Sequence, residues 1–217
     1  GKGDLSKFAD HVKSRYHVRF TFVEAAKAKR GKEKQFKSTP LSNFASLSQA
    51  DVVVSNLYRT WMPEDQMTVV KFVFTSKPVV GLRKAHHGFQ NWLSADQEVF
   101  GMSYKGHYFP KKGKKVTLSL AEKMKNHPLL QGHKPIMPAG GLYKHINQAK
   151  DVTPLILGGP EDKEQHPQAW LRENAKTGQR AIYLRYDPKD LRDPGVRELV
   201  IRAIAWAAHR DLANLKK

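Results

Sequence analysis

The chain has 217 residues, 38 Lys and Arg against 20 Asp and Glu for a formal charge of +18, and no cysteine. The missing thiols exclude disulfides, thiolate metal sites and every cysteine-dependent reaction. The positive balance favours polyanionic partners, RNA among them, without selecting one, and its densest runs are Lys27 to Lys37 and Lys111 to Lys115. The length suits one domain over residues 1–217, and with no apolar run long enough to span a bilayer and no signal-peptide core the chain is expected to be soluble.

Leu5, Phe8 and Val12 fall at helical spacing and open the chain with an amphipathic helix. Val18 to Val23 alternates like a strand, and the polar, basic stretch from Ala25 to Ser42 reads as a loop. Val52-Val53-Val54 has the continuous β-branched character of a strand buried on both faces, followed by Asn56, Tyr58, Arg59 and Trp61 at its end. Pro63-Glu64-Asp65 starts a helix that turns Met67, Val70 and Phe74 inward and stops before Lys77-Pro78, where the residue preceding proline disfavours helix.

The next stretch organises the rest. Val79 to Leu82 is a short apolar strand that runs directly into Arg83, His86 and His87. In open α/β sheets ligands bind outside the carboxyl ends of the strands, so imidazoles and a guanidinium at that point mark a candidate site. Strand, helix and strand recur in one order, which predicts βαβ units in a flavodoxin-like α/β domain whose sheet is mainly parallel. Ser94 to Phe100 reads as a helical turn, Val116 to Leu120 as a strand and Asn126 to Gly132 as a turn around Leu129 and Leu130. Pro138 to Lys144 reads as a glycine-rich loop and Thr153 to Leu157 as a strand. Ala169 to Leu171 and Ala181 to Leu184 flank a turn at Ala175 to Gly178 as a pair, and Asp193-Pro194 opens a last helix carrying Val196, Leu199, Val200, Ala203, Ile204 and Ala207 toward the sheet.

Several segments in this order resemble the ThuA-like (trehalose-utilisation) family, whose fold is similar to the class I glutamine amidotransferase group. They are Ala50 to Val54, Pro63 to Met67, Lys77 to Arg83 with His87 and Phe89, Tyr104 to His107, His127 to Gly132, Leu142 to Lys144, Ala169-Trp170, Arg192 to Pro194 and Ile204 to Ala207. The chain departs from that pattern at several places. Arg83 stands where many members have histidine, as in one branch of the family, whereas Arg185-Tyr186-Asp187 replaces a Gly-His-Asp and Gly141-Leu142-Tyr143 a Glu-Trp-Tyr. Nothing ahead of Leu5 supplies the family's first strand, so that strand is expected to be missing or replaced. Without cysteine, glutamine hydrolysis by the amidotransferase route is excluded.

The resemblance implies carbohydrate metabolism and brings His87 near His107, where the two could serve as acid and base on a sugar or keto-sugar. They could equally be structural histidines; as ligands for a divalent metal they lack a nearby carboxylate, and no cofactor is assigned. Arg83 and Lys144 are candidate clamps for an anionic or carbonyl group, and Tyr58, Trp61, Trp92 and Tyr143 are candidates for an apolar platform under a sugar ring. His86, His127 and His133 read as loop residues, and Asp187 and Asp193 as caps. The alternative to an enzyme is a non-catalytic basic α/β domain that binds RNA or serves in a nucleoprotein assembly.

Overall fold

The computed structural model describes residues 2–25, 39–108, 115–161 and 163–217. Helix α1 (Lys2–Lys13) opens it, followed by β1 (Val53–Ser55), α2 (Glu64–Ser76) and β2 (Val79–Leu82). A ribbon strand β3 (Ser103–Tyr108) and a sheet strand β4 (Val116–Leu120) come next, then β5 (Leu142–Ile146), β6 (Val152–Pro160), β7 (His166–Glu173), β8 (Arg180–Leu184) and α3 (Pro194–Ala207).

Six strands form one sheet in the order β1-β2-β8-β7-β6-β4, and β3 with β5 forms a separate two-stranded ribbon. The β1–β2 and β2–β8 pairs are parallel, whereas β8–β7, β7–β6 and β6–β4 are antiparallel. The sheet is therefore mixed, not mainly parallel. The correction has a physical source: β7 and β8 are joined by the short turn through Ala175 and Gly178, and a connection that short allows only an antiparallel pair.

Val79, Val80 and Leu82 are fully buried because β2 lies inside the sheet and is covered on both faces. One face carries α1 and α3, whose Phe8, Val12, Val196, Leu199 and Ala203 pack with Val80, Leu82, Ile182 and Leu184. The other carries α2, whose Met67, Val70, Val73 and Phe74 pack with Val79, Ala181 and Tyr183. Each Val or Leu so buried contributes about 1.5–3 kcal/mol, and a one-residue slip would exchange the two sets of side chains between faces. The helices end where their sequences say they should. Asp193 accepts the Val196 N–H at 2.9 Å, with Pro194 beginning α3. Lys77 is extended ahead of Pro78, and Gln179 Nε2 donates to the Phe74 carbonyl in the last turn of α2 and to the Lys77 carbonyl just past it, at 2.5 and 2.8 Å.

Val18 to Val23 does not join a sheet. Its alternation instead serves two different cores: Val18 and Phe20 pack on the α1/α3 side and Val23 on the α2 side, so the extended segment links the two cores without a strand neighbour. Among the described residues ahead of β1 there is helix and no sheet strand, and β1 is an edge. No helix among them is long and apolar enough to cross a membrane.

Candidate functional site

Strands β2 and β8 run side by side in register, with Val79 beside Ala181 and Gly81 beside Tyr183. Side chains alternate faces along a strand, so two further residues place Arg83 and Arg185 on the same face as Gly81 and Tyr183, just past the carboxyl ends. The chain then turns sharply: Arg83 has φ 26° and begins the short helix Arg83–His87. The Tyr183 hydroxyl donates to the Arg83 carbonyl at 2.7 Å and holds this strained turn in place.

The β3–β5 ribbon lies over this face. Tyr104 pairs with His145 and His107 with Tyr143, although His107 is three positions after Tyr104 and simple alternation would put them on opposite faces. A bulge between Tyr104 and Gly106 corrects the parity, and Gly106, at φ 149°, supplies the backbone conformation it needs. Gln168 fastens the ribbon to β7 by accepting the Tyr143 N–H at 3.0 Å and donating to the Tyr143 carbonyl at 2.8 Å.

The result is a nest of imidazoles and phenols. The His87 ring lies 4.7 Å from Tyr104, 5.6 Å from Tyr143 and 5.4 Å from Tyr58. His107 lies 4.7 Å from Tyr143 and 5.5 Å from Tyr104. Burial, reinforced by Arg59, His107, Arg185 and Arg83, pushes His87 down to about 4, and burial with Arg185 and Arg83 lowers His107. Both imidazoles are thus neutral at pH 7. The Tyr104 phenol is raised, chiefly by burial, and stays protonated.

Beneath them sit His145, which the sequence reading passed over, and His86, which was read as a loop residue and lies instead in the core. His86 is 1 % and His145 3 % exposed, with rings 4.7 Å apart and both against Trp170. His86 Nε2–H donates to the Met102 carbonyl at 2.9 Å, and burial pushes the ring down to about 3. They are floor, not contact surface. His133 is also buried, donating to the Gly195 carbonyl and accepting from the Tyr186 hydroxyl, while His127 Nδ1 accepts the Leu129 N–H.

Arg83 Nη1 donates to Asp187 Oδ2 at 2.6 Å. Burial works against the Asp187 carboxylate, but Arg83 and the Lys189 N–H outweigh it and hold the group below its usual range. Asp187 also caps the short helix Pro188–Arg192, as expected of it. Arg185, which the sequence reading passed over, is 1 % exposed, with its guanidinium carbon 3.7 Å from the centroid of the Tyr143 ring and Nη2 donating to the Gly140 carbonyl at 2.9 Å. The period-two alternation through Ala181, Tyr183 and Arg185 was the available clue. Gly140 separates the two arginines: at φ 83° it favours glycine, and a Cβ there would lie 1.9 Å from Arg83 Nη2.

Of the residues singled out from sequence, the fold gathers Arg83, His87, His107, Tyr143 and Tyr58. Lys144 does not join them. It lies between Tyr143 and His145 on β5 and so points to the ribbon's other face, where its ammonium sits 4.6 Å from the centre of the Tyr108 ring. Trp92 is buried, packed on Phe89 and beneath Lys71 of α2. Trp61 is 38 % exposed, and its carbonyl accepts from the Thr39 N–H and hydroxyl. No group of three or more His, Asp or Glu side chains able to hold a metal occurs among the described residues, so the donor set does not fit a metal centre. The two basic runs lie outside the described residues except Lys115, which pairs with Glu161 at the surface.

A sequence model of the ThuA family, described as trehalose utilisation, matches residues 8–207. No curated protein matches. Among solved structures, a ThuA-like protein from Bacteroides uniformis superposes with a TM-score of 0.58 at 16 % identity, over 78 % of this chain and 74 % of that one. A ThuA-like protein from Parabacteroides merdae gives 0.55 at 15 % identity, over 76 % and 73 %. At these identities the structures speak to the mixed α/β fold alone.

Proposed function

This chain belongs to the ThuA, or trehalose-utilisation, family, and we propose that it is an enzyme of carbohydrate utilisation that moves protons on a sugar or keto-sugar at the ends of β2 and β8. We read the parallel half of the sheet, β1-β2-β8, as its flavodoxin-like part. The observation that carries the proposal is the shared contact of His87 and His107 with one ring, Tyr143, at the carboxyl end of β2.

Two neutral imidazoles beside each other are suited to taking a proton from a hydroxyl, or from a carbon next to a carbonyl, and returning it elsewhere on the same ligand. His87 is assigned as the base because burial, with its cationic neighbours, leaves it neutral and so able to accept a proton at pH 7. His107, which packs on the same Tyr143 ring, is the partner that returns the proton. Arg83, fixed by Asp187, clamps the ligand, and the half-exposed Tyr58 offers a ring face to a sugar; Tyr143, 1 % exposed and covered by Arg185, is packed beneath the site and offers none. Lys144, Trp92 and Trp61 are left out of the site.

The test is turnover of a panel of sugars and keto-sugars by the wild type, His87→Gln and His107→Gln. Acid–base steps of this kind contribute about 10²–10⁴-fold, so either exchange should lower turnover of an accepted sugar by at least ~100-fold. Undiminished turnover in both variants would remove the assignment.

A further inference from the structure

We infer that the ligand of this site is anionic, a carbohydrate bearing a carboxylate or a phosphate, and that Arg185 is the residue that receives the charged group. The inference rests on the carbohydrate reading of the site but not on its proton-transfer step.

Arg185 is 1 % exposed, yet only Nη2 is engaged; Nε and Nη1 have no partner. A guanidinium is always charged, and burying one without a counter-ion is costly unless something supplies the missing charge. Asp190 acts on Arg185 through its charge but makes no hydrogen bond to it, and the oxygens of the nearby carboxylates are engaged elsewhere. Asp187 holds Arg83 at 2.6 Å and the Lys189 N–H at 3.2 Å. Asp190 accepts the Ala139 N–H at 3.1 and 3.2 Å and the Asp187 N–H at 2.7 Å. A cavity of about 10 Å³ beside Arg185, lined by Ile136, Ile156, Gln168 and Tyr186 among others, has room for about one water. Water would satisfy a donor there but not the charge.

The surroundings repeat the same sign. Arg83 lies against the same glycine as Arg185, is 20 % exposed at its side chain, and its buried Nε also lacks a partner. Farther out, Arg59 and Lys84 both stand over the half-exposed Tyr58 ring, at 5.5 and 5.2 Å. Arg59 has φ 45° and Arg83 φ 26°, so two of the chain's non-glycine residues with left-handed backbone are arginines of this one site. Strain of that kind persists where the surroundings hold it, and here the His87 carbonyl accepts the Arg59 N–H at 3.3 Å while Tyr183 holds Arg83. Further cationic groups thus surround a buried guanidinium whose donors are unpartnered, a combination of charge and free N–H groups suited to an oxyanion.

The experiment is calorimetric titration of the full chain with glucose, gluconate, glucose 6-phosphate and inorganic phosphate at one ionic strength. Gluconate or glucose 6-phosphate should bind at least ~10-fold more tightly than glucose, a difference of about 1.4 kcal/mol or more. Whichever of the two does so identifies the group as carboxylate or phosphate. Arg185→Met should erase the preference and Arg185→Lys restore part of it; should Arg185→Met not fold, Arg83→Met, nearer the surface, should cut the preference at least threefold. Equal binding of glucose and both anions, binding of neither anion, a preference untouched by these variants, or phosphate alone binding as well as glucose 6-phosphate would each overturn the inference. His87→Gln separates the two claims, because it should abolish turnover and leave the preference for anions intact.

Discussion

The Arg185 guanidinium lies over the Tyr143 ring at 3.7 Å, and both side chains are buried. A desolvated cation over an aromatic face is worth about 2 kcal/mol. A double-mutant cycle with Tyr143→Leu and Arg185→Met, read by urea unfolding, should therefore give a coupling of about 2 kcal/mol. Tyr143→Phe keeps the ring and should retain most of that coupling, and additive single effects would show that the stack contributes nothing.

Gly140→Ala brings two penalties together. The left-handed backbone at φ 83° costs an alanine about 1–2 kcal/mol, and its Cβ collides with Arg83. In the wild-type background the loss should exceed the backbone penalty, and Arg83 should be displaced from Asp187. In an Arg83→Ala background the collision is gone, so the loss on introducing Gly140→Ala should fall to about 1–2 kcal/mol. The same loss in both backgrounds would mean that the arginine moves aside freely.

The buried histidines make the fold sensitive to acid. Burial lowers His86 to about 3 in the folded chain, while the unfolded imidazole titrates near ~6.5. Between those values the unfolded state binds the extra proton, so stability falls as pH drops below about 6.5 and continues to fall toward the folded value. His86 alone should contribute a slope of about 1.4 kcal/mol per pH unit in that window, with His87 and His145 adding in the same direction. Urea midpoints at pH 7, 6 and 5 check this, and His86→Gln should flatten the dependence. Constant stability from pH 7 to 5 would contradict it.

The Arg83–Asp187 pair connects the two arms of the site, and both side chains are largely buried. Asp187→Asn should cost about 3 kcal/mol or more, because it leaves a mostly buried guanidinium without its counter-ion. Asp187 titrates below its usual value when folded, so its contribution is present above the unfolded value of ~3.9 and is lost as pH falls through the lower folded one. An Asp187→Asn chain as stable as the wild type at pH 7 would show that solvent replaces the pair at no cost.

Much of this was legible in the residues, and the rest was hidden for definite reasons. The apolar run Val79 to Leu82, the proline-bounded α2 and the Asp193-capped α3 carry their structure in local composition, and each forms where expected. The ribbon was not legible, because β5 follows two glycines and β3 needs a bulge at Gly106 before its pattern makes sense. Lys144 was drawn toward the site by position along the chain, and the pleat of β5 sends it the other way. Arg185 was missed for the opposite reason: it sits beyond a strand end among residues that differ from the family's usual ones, and only the register with β2 brings it beside Arg83. His86 looked like its neighbour His87, but adjacent residues face different surroundings, one the core and the other the site.

The most direct test of His87 as the base is exchange of solvent deuterium into keto-sugars, followed by proton NMR in D₂O for the wild type, His87→Gln and His107→Gln. The wild type should wash in deuterium next to the carbonyl of at least one keto-sugar. Its rate should hold down to about pH 5 and decline on an acid limb near 4, where His87 gains its proton; His87→Gln should be at least ~100-fold slower. Exchange at the wild-type rate in His87→Gln, or an acid limb at the ordinary imidazole value of ~6.5, would contradict the assignment.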